Sequence, residues 1–376
     1  MIKNKKFMWT VILTATVLIG LIAIFLLFSI QKQDTVEFLE QDTVNSLIVK
    51  NEGDLTEINR NFSDAKNLSE FEKTDFIPTL EHTIDARNNA VYCVTLLYAW
   101  DEVRKLIDKP LTISPNDTDL LLLNNSQSFM YALKNGEYST SSEIIGNTIK
   151  AKAEFSKSLP FEVKLNSYDK KLKFKGEKVA SFGVTGYSNN KQLKIVEIVY
   201  YKNDNNFIIK LLPKDKTHEI ILFKTNKVFN SMVEMNEEII KLTEIGKKER
   251  RNEKSKWKYY INSDYNDEVV IPKFKFNIET NYATLEGNKF NAAQQAYRIR
   301  TAWQRTAFLL DESGAEIESE AVVMVDSLSR REEEEEIIQK PKKMIFDKDF
   351  LILLKRTDSR NPYFGLWVTN TELMVK

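Results

Sequence analysis

The chain is poor in the residues that build most catalytic and metal sites. Its one cysteine, Cys93, excludes an intrachain disulfide and a thiolate metal cluster. Flanked by Val91, Tyr92, Val94 and Leu96, it reads as a small core residue. The two histidines, His82 and His218, sit beside Glu81 and Glu219 and outside any ligand spacing, so both read as surface or structural. With only 11 glycines there is no glycine-rich phosphate loop and no G-x-S-x-G elbow. Neither charge sign is in excess, with Lys+Arg and Asp+Glu both at 54, so there is no basic field for nucleic acid. Carboxylates are plentiful but lie in charge runs, which read as solvated surface. No cofactor or metal is expected, and the chain reads as a non-enzyme. A paired-carboxylate envelope enzyme is the weakest alternative, because such a pair is defined by spatial spacing.

What is present begins with an apolar run. From Phe7 to Ile30 no residue is charged. At about 1.5 Å per residue that length crosses a hydrocarbon core of about 30 Å. Lys3, Lys5 and Lys6 precede it, which keeps residues 1–6 cytoplasmic and sends the rest across. The run leaves through Leu27, Phe28, Ser29, Ile30 and Gln31 without a small-x-small cleavage site, so it reads as an uncleaved anchor. The expected organisation is a transmembrane helix at 7–30, a stalk or helical segment at 31–80, and one domain at 81–376. The layout and the Lys, Asn and Ile content suit a bacterial envelope protein with an extracytoplasmic domain, expected as a monomer.

Apolar residues are dense from Asn89 to Ile107, which reads as a buried helix. The run Leu120–Leu123 suits a strand or a buried helix, and periodicity cannot arbitrate at that length. From about residue 146, short segments rich in Val, Ile, Phe and Tyr recur between polar turns, which indicates a mainly antiparallel sheet. One helix interrupts them, expected over Lys227–Ile245, because Val228, Met232, Met235, Ile239, Ile240 and Leu242 recur at three- and four-residue steps.

The segment 311–325 reads DESGAEIESEAVVMV. As a strand, one face takes Ala315, Ile317, Ser319, Ala321, Val323 and Val325, all small or apolar. The other takes Glu316, Glu318 and Glu320, then Val322 and Met324, and is expected to face solvent. The segment runs into five consecutive glutamates, Glu332–Glu336, which cannot pack and must be exposed. A strand fit for a sheet interior, joined to an exposed loop, has two possible homes.

Here the chain resembles the serpin family. QRTAFLLDESGAEIESEAVV looks like the strand leading into the hinge of the reactive-centre loop. Further stretches follow in the family's order: FSKSLPFEV at 155–163, KVASFGVTGY, LKIVEIVYYKNDNNFIIKLLPKD, VVIPKFKFNIETNY at 269–282 and FDKDFLILLKRTDSRNPYFGLWVTN at 346–370. The resemblance implies an α+β fold: a large, mainly antiparallel sheet with helices on one side and a second, smaller sheet. It makes Glu312 the hinge acid, Gly314 the hinge glycine and Ala315 the first residue to insert, with Ile317, Ser319 and Ala321 following.

The family's spacing from Glu312 puts the scissile bond at Leu328–Ser329, within a reactive-loop region of 311–341. Arg330 and Arg331 are equally plausible bait. Leu328 suits a chymotrypsin- or elastase-like serine protease, and the arginines suit a trypsin-like one. The chain departs from the family in its bulky Ile317, its hinge glutamates, its long loop and its shortened helices before residue 146. Two functions follow: a membrane-anchored protease inhibitor acting by loop cleavage and strand insertion, or a non-inhibitory binding or structural protein on the same fold.

Overall fold

The computed structural model describes residues 62–145, 148–262, 265–320 and 341–376, all within one compact unit, Phe62–Lys376. The anchor expected at 7–30, Ala321 and the residues expected as the scissile region, Leu328, Ser329, Arg330 and Arg331, lie outside the described residues. Among the described residues, no helix is long and apolar enough to cross a membrane.

The strands, in chain order, open with β1 (Lys66–Asn67), β2 (Thr74–Ile77), β3 (Asn89–Cys93), β4 (Leu111–Ile113), β5 (Ser139–Ile145) and β6 (Thr148–Pro160). Next come β7 (Asn166–Phe174), β8 (Glu177–Thr185), β9 (Val196–Asn203), β10 (Asn206–Leu211) and β11 (His218–Lys224). Then follow β12 (Glu268–Pro272), β13 (Phe274–Asn281), β14 (Lys289–Ala292), β15 (Gln295–Arg298), β16 (Trp303–Asp311) and β17 (Gly314–Glu320). The chain closes with β18 (Lys343–Ile345), β19 (Phe350–Arg356) and β20 (Pro362–Val368).

Two sheets dominate. One has six strands in the order β1-β13-β16-β17-β6-β5, and the other has seven in the order β2-β3-β20-β19-β11-β10-β9. The second main sheet is therefore not the smaller one. Two further sheets have four strands (β18-β12-β8-β7) and three (β15-β14-β4).

The main sheets meet through aromatic rings. Phe308 lies 4.6 Å from Phe364 between ring centres, and Phe155 lies 5.6 Å edge-on to Tyr363. The helix Met232–Glu249 covers the seven-stranded sheet, with Gly246 pressed so close that a Cβ would sit 2.0 Å from the Val199 carbonyl oxygen. Covered strands need apolar residues on both faces, and Phe350–Leu354 and Pro362–Val368 are buried without a break. That is why FLILL and PYFGLWV lack the polar alternation of a half-exposed strand.

Several expectations are corrected. Asn89–Ile107 is a strand and then a helix: NAVYC pairs with β2 and β20, and the helix is Thr95–Ile107. Sheet pairing overrides the helical look of a short apolar run. Leu120–Leu123 resolves as part of the helix Thr118–Asn125. The helix expected from Lys227 starts at Met232, where the Ser231 hydroxyl caps the Glu234 N–H. Residues 62–80, expected as stalk, belong to the compact unit, since β2 pairs in parallel with β3. The stretch 269–282 is two strands in different sheets, separated at Lys273.

Candidate functional site

The segment singled out by its alternation lies in the middle of the six-stranded sheet. β17 pairs antiparallel with β16, Phe308 opposite Ile317, and antiparallel with β6, Lys157 opposite Ile317. Ala315 is 1% exposed, Ile317 0% and Ser319 4%, so the small and apolar face is the buried one. The bulk of Ile317 is accommodated. The opposite face departs from expectation at Glu318, which is 7% exposed and paired with Arg305 at 3.3 Å. Burial raises the Glu318 carboxyl above its ordinary value against the pull of Arg305. Neighbouring strands determine this environment, and alternation alone carries no trace of it.

The turn into β17 is fastened on three sides. The Ser313 N–H donates to Asp311 Oδ1 at 2.7 Å. The Phe161 and Leu165 N–H groups donate to the Ser313 and Glu312 carbonyls, both at 2.8 Å. Glu312 pairs with Lys273, the residue joining β12 to β13. Burial works to raise the Glu312 carboxyl, but Lys273 outweighs it and leaves the group below its ordinary value. Gly314 has φ +145, and a Cβ there would lie 2.4 Å from the Leu159 carbonyl oxygen and 2.7 Å from Pro160 Cα. Only glycine fits this position.

Beneath β17 lies a layer of hydroxyls. Ser319 Oγ is 3.0 Å from Thr95 Oγ1, at the start of the Thr95–Ile107 helix, and 2.9 Å from Thr306 Oγ1. Gln304 Nε2 donates to the same Oγ at 3.2 Å. These partners are buried, so the polar side chain on the inward face is satisfied. Cys93 is 1% exposed, and burial pushes its thiol up to about 12, which makes it inert.

Further along the inward face, Lys157 of β6 reaches Glu137 at 2.7 Å. Arg356 NH1 meets both Glu137 oxygens at 2.8 Å, and His218 Nε2 meets one at 3.0 Å. His218 Nδ1 lies 3.2 Å from the Tyr363 hydroxyl. This pattern suits a neutral imidazole whose Nε2–H donates to Glu137 and whose Nδ1 accepts from Tyr363. Burial and then Lys157 lower the His218 pKa below its ordinary value, against Glu137. Partial burial works to raise the Glu137 carboxyl, but Lys157, the Lys134 N–H and His218 hold it at about 2. The cluster ties β6 of one main sheet to β11, β19 and β20 of the other. His218 is structural, as its context indicates.

A second fixed point follows residue 340. Lys342 Nζ pairs with Asp267 Oδ2 at 2.6 Å, and the two side chains are 2% and 0% exposed. The Lys342 N–H donates to Asp267 Oδ1 at 2.7 Å, and the Asn262 N–H to Oδ2 at 2.9 Å. Lys342 also lies over the Trp257 ring at 5.0 Å. β18 then pairs in parallel with β12, whose far end leads into β13 beside the hinge.

The strand β17 before residue 321 and the buried Lys342–Asp267 pair after residue 340 are thus both fixed. Along β17 the chain runs about 20 Å away from Gly314. The stretch 321–342 can span up to roughly 70 Å when extended, so β17 and β18 can both be paired in one uncut chain. Sequence reasoning missed Thr95, Gln304, Thr306, Glu137 and the Lys342–Asp267 pair. Each is an ordinary polar residue whose role exists only through partners distant in the chain. Among the described residues, no three His, Cys, Asp or Glu side chains cluster to hold a metal ion.

Solved structures similar to this chain are serpins. A cleaved Serpin 42Da aligns over 58% of this chain and 55% of its own, with 11% identity and a TM-score of 0.33. A loop-inserted, cleaved ovalbumin mutant aligns over 73% of this chain and 65% of its own, with 11% identity and a TM-score of 0.37. The serine protease inhibitor serpin-12 of Manduca sexta aligns over 58% and 55%, with 12% identity and a TM-score of 0.33. Each alignment spans less than two thirds of the serpin's own length. No protein-family model matches the sequence, and no curated protein does.

Proposed function

We propose that this chain is a non-catalytic, protease-directed protein of serpin-like architecture. Its 321–340 loop is bait, and β17 is the first part of a strand insertion that cleavage completes. The carrying observation is the place of β17, hydrogen-bonded to β16 on one edge and to β6 on the other, with Ala315, Ile317 and Ser319 buried. At Thr148–Glu154, β6 pairs with β5.

Continuing the register that sets Ser319 opposite Phe155 would bring Ala321 opposite Ala153 and Val323 opposite Ala151. Those partners lie on the inward face, and Ala153 is 1% exposed. Small and apolar residues therefore await small and apolar neighbours. Cutting near Leu328–Ser329, Arg330 or Arg331 frees the segment to pair, and the attacking serine protease is carried with it. The anchor expected at 7–30 would hold this device at the outer face of a membrane.

A second reading has its own observation: among the described residues, Gly314–Glu320 are already paired in the uncut chain. If that is the whole insertion, the protein presents its loop to a binding partner and traps nothing. One experiment separates the two. The loop is nicked between residues 326 and 336, and the melting temperature is measured before and after. A rise of tens of degrees, with an SDS-stable complex with a chymotrypsin- or trypsin-like protease, supports inhibition. An unchanged melting temperature and no complex with any such protease overturn it in favour of the binding protein.

A further inference from the structure

A cavity of about 580 Å³ opens away from the hinge. Its wall brings together the turn after β7, the residues after β11, the link between β18 and β19, and the end of β20. This volume suits a small organic molecule. The wall combines two features that ordinary surface lacks.

The first is apolar. Ile84, Phe229 and Trp367 are buried, at 8%, 8% and 7% exposure, and Val228 stands at the mouth 82% exposed.

The second feature is cationic. Four lysines line the cavity: Lys173, Lys175, Lys227 and Lys348. Lys175 is paired with Asp349, and Lys227 with Glu238 at 3.2 Å. The remaining wall carboxylate, Asp347, is taken by Lys224 at 2.6 Å. Lys173 and Lys348 thus face the cavity with no counter-charge among the described residues.

We propose that this cavity is a binding site for an amphipathic organic anion. The ligand has a flat or aliphatic apolar body bearing a carboxylate. The body lies against Phe229 and Trp367, and the carboxylate meets Lys173 and Lys348. The site is separate from the hinge and needs neither reading of the loop.

The test uses the full chain in lipid nanodiscs and 1-naphthylacetate as probe, followed by calorimetry, with 1-naphthylacetamide as the neutral comparison. Saturable one-to-one binding of the carboxylate is expected. It should weaken with salt and be about tenfold weaker for the amide and for the K173A/K348A chain. Lys173 and Lys348 are exposed, so replacing them leaves the fold intact and the comparison meaningful. Absence of saturable binding, or equal affinity in the K173A/K348A chain, overturns the proposal.

Discussion

At the scale of single residues, the site depends on two positions where substitution has no soft alternative. At Gly314 the backbone is in a region L-residues avoid, and the Leu159 carbonyl occupies the place a Cβ would take. Gly314→Val should lower stability by about 1–3 kcal/mol or displace the hinge from the sheet. A urea midpoint indistinguishable from the parent chain would show that β17 leaves the sheet without cost. At the loop's other end, Lys342→Ala leaves Asp267 charged, fully buried and without its cation. Removing one partner of such a pair costs about 3–5 kcal/mol. A loss below about 1 kcal/mol would mean that water reaches Asp267. Gly314 was legible from its place in the hinge motif. Lys342 was not, because a lysine near a glutamate run looks like any solvated lysine until Trp257 and Asp267 close around it.

At the scale of the element, β17 is decided by alternation and by its neighbours together. Ala315, Ile317 and Ser319 were assigned to one face from parity alone, and all three are buried. Parity also sent Glu318 to solvent, and there it failed, because Arg305 of β16 stands beside it. The pairing carries a direct consequence for hydrogen exchange. The amides of Ala315–Ser319 should be protected in the uncut chain to a degree similar to those of β16, since β17 is laddered on both edges. Exchange at random-coil rates over 315–319 would place the segment outside the sheet before cleavage and remove the basis for a partial insertion.

At the scale of the whole molecule, the two main sheets are joined by packing and by the Glu137 cluster, and that junction titrates. The folded His218 has a pKa below its ordinary 6.5, so the unfolded chain binds the extra proton first as pH falls. Stability should therefore begin to drop below about pH 6.5. Glu137 is held at about 2 against an ordinary 4.5, so its contribution is present above pH 4.5 and lost as pH falls towards 2. His218→Asn should abolish the first decline and leave the second, as read by chemical unfolding between pH 2 and pH 8. A His218→Asn curve that still falls between pH 6.5 and 5 would assign that decline to another group.

The sequence by itself determined what could be read locally. The mainly antiparallel strand content follows from segment texture, the C-terminal strands from apolar and aromatic runs, and the inward face of β17 from period-two alternation. Only the tertiary structure decided where the strand Asn89–Cys93 gives way to the helix Thr95–Ile107, because β2 and β20 supply the strand's hydrogen bonds. It alone decided that the second main sheet is the wider one. It also decided that β17 is paired while the chain is uncut, because the long link to β18 lets both strands find partners. Local chemistry sets which faces a segment can bury, whereas pairing partners far along the chain set where it is buried.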